Sequence, residues 1–281
     1  MGPSPAATIS VKKKMTEETL LKDLTQHSHV QVPFPIPCTQ IKEAVQSFLR
    51  FVELPDEIKN HIDTKIATRH RRGDIGLKQR SPEDGPYRDS KEFFHFHPLV
   101  FQQYAAFINA HPEVQDFLMK AQPLWEATYK VVHQIISSLE EQFPGITAKV
   151  FDTDEPHVMI RFLRYHWASS GKYLAKPHFD SGSFTLAIAE SCPGLRMGRG
   201  PDDLELIHHQ EGHALFFFSS NFKKILNTDM FSAGWHDVIQ LDDTQIGKPF
   251  ARWAVVAFID GIDVEALSRS ETHKWCLADL A

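Results

Sequence analysis

Three residues of this sequence have side chains and spacing suited to binding a metal ion. His178 and Asp180 form a His-x-Asp motif, and His236 follows further along the chain. Two imidazoles and one carboxylate can occupy one face of an iron(II) ion, which leaves the other positions open for a chelating cosubstrate and dioxygen. Neutral imidazole suits iron, and the carboxylate offsets part of the positive charge. The residue types therefore predict a non-haem iron site.

A second His-x-Asp motif, His61 and Asp63, competes with the first. The chain contains 16 histidines, so chance alone can produce such a motif. The segment around His61 is charged and predicts a helix, on which positions i and i+2 point in different directions. His178 and Asp180 instead precede a β-type run over 184–189, and on an extended chain i and i+2 point the same way. We therefore predict that the second motif is a solvated helix surface.

The sequence around the proposed ligands predicts a β-rich core. Short apolar runs separated by Pro, Gly and acidic turns lie between His178 and His236, and the strongly apolar strand ARWAVVAFID follows them. Several short strands at this spacing are typical of an antiparallel sandwich or barrel. A jelly roll brings its early and late strands together at one mouth, so it can place His236 beside His178.

Periodic apolar residues before this core predict helices that pack on it. The helical stretches are 41–54, 97–121 and 123–143, the last ending at Pro144-Gly145, and 30–37 reads as a proline-rich edge strand. The expected class is mainly β with flanking α. We expect a partly mobile N-terminal segment (1–30), a helical and strand region (31–149), a jelly-roll catalytic core (150–261) and a C-terminal helix or tail (262–281).

Arg252 opens the last apolar strand, where its neighbours are largely buried. A buried guanidinium needs an anion. One interpretation is an ion pair with a nearby Asp or Glu. The other is a bidentate clamp for the carboxylate of a cosubstrate, and the metal motif makes this second interpretation the better one.

Six segments between about Phe48 and Gly261 follow one another in a distinctive order. They are FLRFVELPDEIKNHI and DSKEFFHF before the core, and PHFDSGSFTLAI, CPGLRMG, EGHALFFFSSNFKKI and FSAGWHDV within it. Through these segments the chain resembles the isopenicillin N synthase-like branch of the iron(II)/2-oxoglutarate-dependent dioxygenases. Each segment is unspecific by itself, but the ordered set at plausible spacing is specific.

This resemblance implies a double-stranded β-helix (jelly roll) core with N-terminal helices packed on it. It implies iron(II) on His178, Asp180 and His236, 2-oxoglutarate as cosubstrate with its far carboxylate on Arg252, and dioxygen as the oxidant. The implied reaction oxidises an unactivated C–H bond of a small-molecule substrate. Hydroxylation is the first expectation, and desaturation or ring closure is open to the same chemistry.

The sequence departs from the family pattern at two positions near the cosubstrate. Ala254 stands where the family usually has Ser, and Leu163 stands where it has Asn. Tyr165 is kept and can donate to a carboxylate, although an ordinary barrel tyrosine is an equal interpretation. Two alternatives stay open: an iron-dependent oxidase of the same fold that does not use 2-oxoglutarate, and a catalytically silent jelly-roll binding protein.

Composition limits the partners. The net charge of −6 predicts neither nucleic acid nor an anionic membrane as a partner. Three widely spaced cysteines and the lack of a membrane-length apolar run predict a cytoplasmic protein, with the oligomeric state left open.

Further basic and histidine-rich segments have no complete set of ligands. The block RHRRGDIGLKQR (69–80) predicts a solvated loop that could cover the active-site mouth or contact an anionic substrate. We interpret the remaining paired histidines as hydrogen-bonded or surface residues: His95, His97, His208, His209 and His213.

Overall fold

Two antiparallel sheets form the framework of the computed structural model, which describes residues 17–66, 74–81, 89–167, 171–243, 246–262 and 264. The large sheet has eight strands in the order β1-β10-β7-β12-β5-β4-β3-β2, and the small one has the order β6-β11-β8-β9. The strands are β1 (His29–Pro33), β2 (Asp63–Lys65), β3 (Asp74–Arg80), β4 (Lys91–Phe96), β5 (Val158–Tyr165), β6 (Tyr173–His178), β7 (Phe184–Glu190), β8 (Leu195–Gly198), β9 (Glu205–Leu206), β10 (His213–Phe218), β11 (Trp235–Ile239) and β12 (Arg252–Ile259).

Helices flank the large sheet, and most of them precede the strands of the core. They are α1 (Glu17–His27), α2 (Cys38–Phe51), α3 (Asp56–Lys59), α4 (Leu99–Gln103), α5 (Ala105–Ala110), α6 (Pro112–Ser138), α7 (Ile146–Phe151) and α8 (Phe222–Leu226). A 3₁₀ turn, Pro201–Asp203, lies between β8 and β9. The predicted class, mainly β with a jelly-roll core and flanking helices, is confirmed.

Two apolar clusters follow from the alternation of side chains along the strands. On β5, Phe162 packs on one face against Phe48 of α2 and Phe117 of α6. Leu163 and Tyr165 point to the opposite face, where they meet Leu174 and residues of the other small-sheet strands. The second cluster fills the space between the two sheets, so residues on this inner face surround the interior of the barrel.

The prediction of a helix around His61 is wrong. Helix α3 ends at Lys59, and Asp63 begins β2, where it pairs with Gly76 of β3. The ring of His61 stacks on Phe107, with centroids 3.9 Å apart. Pairing with a distant strand therefore overrides the local helical pattern, as tertiary context commonly does.

Two further predictions need correction. Helix α6 extends through Pro123 and ends at Ser138, before the predicted stop at Pro144. The basic block is not a loop throughout, because 74–80 form β3 of the large sheet and 69–73 lie outside the described residues. The predicted C-terminal helix or tail also lies outside them from residue 265 onward.

The large sheet draws strands from both halves of the chain. The proline-rich segment supplies the edge strand β1, which pairs with β10. Strands β2 to β4 add to the other side of β5. Leu20 and Leu24 of α1 are fully buried, so part of the N-terminal segment packs on the core.

Candidate metal centre

The three predicted metal ligands come together where β6 pairs with β11. His178 is the last residue of β6, and His236 lies directly opposite it on β11. The two ring centroids are 4.4 Å apart. Asp180 follows the end of β6, in the connection to β7. The sequence predicted an extended backbone for both residues of the motif. The structure places His178 in the strand and Asp180 in the turn that follows it.

The ligand atoms of these residues face one another. His178 Nε2 lies 3.7 Å from Asp180 Oδ1, and His236 Nε2 lies 3.8 Å from Asp180 Oδ2. One ligand atom from each of the three lies within 4.8 Å of the others. Within the described part of the chain, this is the one group of three or more His, Cys, Asp or Glu residues spaced to hold a metal ion.

Backbone carbonyls fix the orientation of both imidazoles. The Nδ1 of His178 lies 2.6 Å from the carbonyl of Lys176, and the Nδ1 of His236 lies 3.0 Å from the carbonyl of Gly234. A carbonyl can only accept, so each Nδ1 carries the proton and each Nε2 presents its lone pair to Asp180. Support of this kind for the second ring nitrogen is usual for metal-binding histidines.

A hydroxyl chain holds Asp180. Its Oδ2 accepts a hydrogen bond from Thr185 Oγ1 at 2.8 Å, and that hydroxyl lies 2.8 Å from Ser219 Oγ. Ser220 donates to the Asp180 backbone carbonyl through both its N–H and its Oγ. These contacts come from β7 and from the segment after β10, so the turn that carries Asp180 is fixed from two sides.

Electrostatics favour the protonation states that metal binding requires. Burial lowers the pKa of His178 below its ordinary value, and His236 adds to the effect. Burial by itself raises the pKa of Asp180, but His236, His178 and the Thr185 hydrogen bond bring it below its ordinary value. Neutral imidazoles beside an ionised carboxylate are the form that binds a divalent cation. The donor set fits iron(II) in type and arrangement.

Arg252 and Tyr165 are partners across β12 and β5. The guanidinium carbon of Arg252 lies 5.8 Å from the centre of the Tyr165 ring. Arg252 also contacts Glu190 in a buried ion pair, and its Nε donates to the Cys192 carbonyl at 3.1 Å. One edge of the planar Arg252 guanidinium group is therefore already engaged by protein groups. Burial raises the pKa of Tyr165 to about 12, so its hydroxyl is protonated and able to donate.

The other candidate histidines do not assemble a metal site. His95 Nδ1 donates to the Asp74 carbonyl, and His97 Nε2 donates to the Pro156 carbonyl. His209 Nε2 contacts the carbonyl of His213. These rings serve as hydrogen-bonding groups, as predicted. His61 lies apart from the metal centre, stacked on Phe107.

Several charged residues of the interior were not predicted from the sequence. Glu190 ends β7 beside the start of β12, a pairing that no local pattern reveals. Lys91 and Arg161 lie on neighbouring strands β4 and β5 and face the interior. Lys91, Phe93 and His95 alternate in KEFFHF, and alternate residues of a strand share a face. This pattern could have indicated that Lys91 faces the interior.

Solved structures with the same architecture include oxygenases that bind 2-oxoglutarate. One similar chain is a full-length protein from Neurospora crassa in complex with alpha-KG (TM-score 0.63, 16% identity, covering 91% of this chain and 85% of that chain). Another is the dioxygenase for auxin oxidation 1 from Arabidopsis thaliana in its 2-oxoglutarate complex (0.66, 16%, 91% and 92%). A third is JOX2 in complex with 2OG, Fe and JA (0.65, 15%, 91% and 74%).

Neither a protein-family model nor a curated protein sequence matches the chain. The structural similarity nevertheless extends over nine-tenths of it. The chain therefore has the fold of the 2-oxoglutarate- and iron(II)-dependent oxygenases, with the His-Asp-His cluster at the junction of β6 and β11.

Two further findings concern membrane-spanning helices and the state of the cysteines. No helix in the described ranges has the length and apolar character needed to cross a membrane. Cys38 and Cys192 are free thiols, and Cys276 lies outside the described residues.

Proposed function

We propose that this chain is a non-haem iron(II)- and 2-oxoglutarate-dependent oxygenase that oxidises an unactivated C–H bond of a small molecule. The observation that carries the proposal is the convergence of His178, Asp180 and His236, whose ligand atoms lie within 4.8 Å of one another in this fold. Ferrous iron bound there, with 2-oxoglutarate and dioxygen, would supply the oxidising chemistry, and succinate and carbon dioxide would leave as coproducts.

The protein's own residues have defined roles in this proposal. The carbonyls of Lys176 and Gly234 hold the two imidazoles in the tautomer that presents Nε2 to the metal. Arg252, with Tyr165 beside it, is the proposed binding site for the far carboxylate of 2-oxoglutarate. Apolar side chains of the inner cluster, such as Leu163 and Phe217, would limit the access of water to the reacting groups.

We propose a small-molecule substrate, which would bind beside the metal centre. The Neurospora crassa protein that shares the fold binds thymine, a compound of this size class. Hydroxylation is the reaction we propose first. We propose no nucleic-acid or membrane partner, in keeping with the net charge of −6, and a cytoplasmic location, in keeping with the free thiols of Cys38 and Cys192.

The direct test is succinate formation by the purified protein with iron(II), 2-oxoglutarate and air. Turnover should rise when a metabolite pool contains the substrate, and it should vanish in His178→Ala and His236→Ala. Iron content, measured by elemental analysis, should fall in both variants. Full iron occupancy in the double variant would contradict the assignment of the ligands.

A second candidate is an oxidase of the same fold that takes its electrons from the substrate or a reductant. The observation that favours it is the ion pair of Arg252 with Glu190, which engages the proposed clamp for 2-oxoglutarate. Oxygen consumption without succinate formation would identify this alternative. Lack of iron binding altogether would favour a catalytically silent binding protein.

A further inference from the structure

His209 lies in the turn between β9 and β10, and the side chain of Gln31 on β1 holds this turn in place. The Gln31 amide donates to the His208 carbonyl at 3.0 Å and accepts from the Gln210 N–H at 2.7 Å. These two contacts flank His209 in the sequence. Its ring donates from Nε2 to the His213 carbonyl, 3.0 Å away. The backbone and the ring are therefore both fixed, and the second ring nitrogen, Nδ1, has a defined direction.

The Nδ1 of His209 is a buried polar atom. Within the described part of the chain it has no hydrogen-bond partner. Because Nε2 carries the proton that is donated to the His213 carbonyl, the Nδ1 of the neutral ring presents only a lone pair. Burial of a polar atom without a partner is unfavourable, and such atoms are uncommon in folded proteins. This atom is therefore poised to gain a partner when the charges around it change.

His209 lies beside the ion pair of Arg252 with Glu190. Strand β10 pairs antiparallel with β7, which brings the start of β10, where His209 is bonded, next to the end of β7, where Glu190 is the last residue. Burial lowers the pKa of His209 below its ordinary value, and Glu190 opposes this more strongly than any other charge. Arg252 on β12 and His213 on β10 lower that pKa further. The ring is therefore neutral while Glu190 stays on Arg252.

The charged groups beside Arg252 are paired before a ligand binds. Glu190 neutralises Arg252. Lys91, whose Nζ lies 5.5 Å from the centre of the Tyr165 ring, forms its own ion pair with Asp89 at 2.5 Å. Burial keeps the Tyr165 hydroxyl neutral by raising its pKa to about 12. A carboxylate of 2-oxoglutarate on Arg252 would add one negative charge to these paired groups, and a buried charge without a counterion is costly.

We propose that His209 receives the carboxylate of Glu190 when 2-oxoglutarate occupies Arg252, so that the cosubstrate binds together with a proton. The inference rests on the proposed function, because it concerns the cosubstrate of the same site. The cosubstrate carboxylate takes the place of Glu190 on the guanidinium group. The Nδ1 of His209 takes up a proton from solvent and donates a hydrogen bond to the displaced Glu190. Each anion then has its own cation, and the buried Nδ1 gains a partner.

Proton uptake gives the binding of 2-oxoglutarate a pH dependence of defined sign. The added anion raises the pKa of His209, so the complex binds more protons than the free protein between the two pKa values. The affinity for 2-oxoglutarate should therefore rise as the pH falls through this window. Uptake of about half a proton to one proton corresponds to a change of about three- to tenfold for each pH unit. A merely structural role of His209 would change stability without changing this slope.

Calorimetric titration of the manganese(II) form with 2-oxoglutarate tests the proposal, because this form binds the cosubstrate without turnover. Titrations in two buffers with different ionisation enthalpies give the number of protons taken up. We expect the parent to take up about half a proton or more above the value for His209→Gln, in which an amide can still donate to the His213 carbonyl. His208→Gln, at the exposed neighbouring histidine, is the matched control and should behave like the parent.

The outcomes distinguish His209 from Glu190 as the proton acceptor. Loss of the uptake in both His209→Gln and Glu190→Gln is the expected result, since the second variant frees no carboxylate. Uptake that persists in His209→Gln and vanishes in Glu190→Gln would place the proton on Glu190 and overturn the inference. Binding of 2-oxoglutarate with equal uptake in all these proteins overturns the inference alone, whereas absence of binding overturns the proposed function as well. Should His209→Gln fail to fold, His209→Asn replaces it.

Discussion

The guanidinium of Arg252 and the carboxylate of Glu190 form a buried ion pair inside the barrel. Their side chains are 3% and 9% exposed. Glu190 lies on β7 as the cross-strand partner of Ala254, the position at which the family that the chain resembles usually has a serine. A carboxylate of the protein therefore occupies space beside the arginine that is proposed to bind the cosubstrate. It also neutralises the positive charge of that arginine.

This relationship predicts competition between Glu190 and 2-oxoglutarate. In Glu190→Gln, Arg252 loses the carboxylate with which it forms an ion pair. Its guanidinium group then becomes available to the cosubstrate. A hydrogen bond to a charged group contributes about 1.5–3 kcal/mol, so we expect 2-oxoglutarate to bind roughly tenfold or more tightly. Titration of the manganese form with 2-oxoglutarate measures the change. Weaker binding in Glu190→Gln would mean that the glutamate supports the cosubstrate site instead.

Removal of Arg252 has two effects that a double variant separates. Arg252→Met leaves Glu190 buried without its partner, which should cost about 3–5 kcal/mol in the free energy of unfolding. Arg252→Met/Glu190→Gln avoids that penalty. In this double variant we expect near-normal stability and iron content, with 2-oxoglutarate binding weakened by about 30-fold or more. Normal 2-oxoglutarate binding in the double variant would show that the arginine is structural and that other residues bind the cosubstrate.

The two His-x-Asp motifs should respond differently to substitution. His178→Ala removes one of three ligands and should abolish tight iron binding. His61→Ala removes a ring that stacks on Phe107 and has no part in the metal centre, so iron content should stay at the level of the parent chain. Elemental analysis of the two variants side by side gives the comparison. Comparable iron loss in both would refute the choice of motif.

The candidate metal ligands could be proposed from the sequence because imidazole and carboxylate side chains identify themselves by residue type. The pairing of the strands that carry them could not be proposed in this way. His178 and His236 meet through the register of β6 with β11, which no window around either residue contains. The same limit explains the misplaced helix at His61, since the pairing of Asp63 with Gly76 decides the local backbone there. The apolar strand at Arg252 was recognised, whereas its anion, Glu190, comes from a strand far away in sequence.

Support of Asp180 by Thr185 gives a further prediction. Thr185 is fully buried, and its hydroxyl links Asp180 to Ser219. Thr185→Val keeps the shape but removes the donor, so the carboxylate loses its orientation. Loss of such a supporting contact typically lowers metal affinity about 10- to 100-fold. Competition for iron(II) with a coloured chelator measures the affinity. Thr185→Ser retains the hydroxyl and should stay close to the parent, which separates the hydrogen bond from packing.

Acid stability should depend on His97. Burial lowers its pKa to about 4 from the ordinary 6.5. Its ring accepts a hydrogen bond from the Leu99 N–H and donates one to the Pro156 carbonyl, so the neutral form is the one the fold requires. The unfolded chain takes up a proton near pH 6.5, and the folded chain does so only near pH 4. Between these values the unfolded state binds more protons, so stability falls as the pH falls through this window.

The size of this effect follows from the shift in pKa. Each unit corresponds to about 1.4 kcal/mol, so His97 should account for a loss of up to about 3 kcal/mol between pH 6.5 and pH 4. Urea unfolding at about pH 7 and about pH 4.5 measures it. His97→Gln retains polar contacts without titrating, so the stability difference between the two pH values should shrink. The same substitution at His111, whose ring packs on Phe107 between α5 and α6, controls for the loss of a histidine as such. An unchanged difference in His97→Gln would assign the acid sensitivity to other groups.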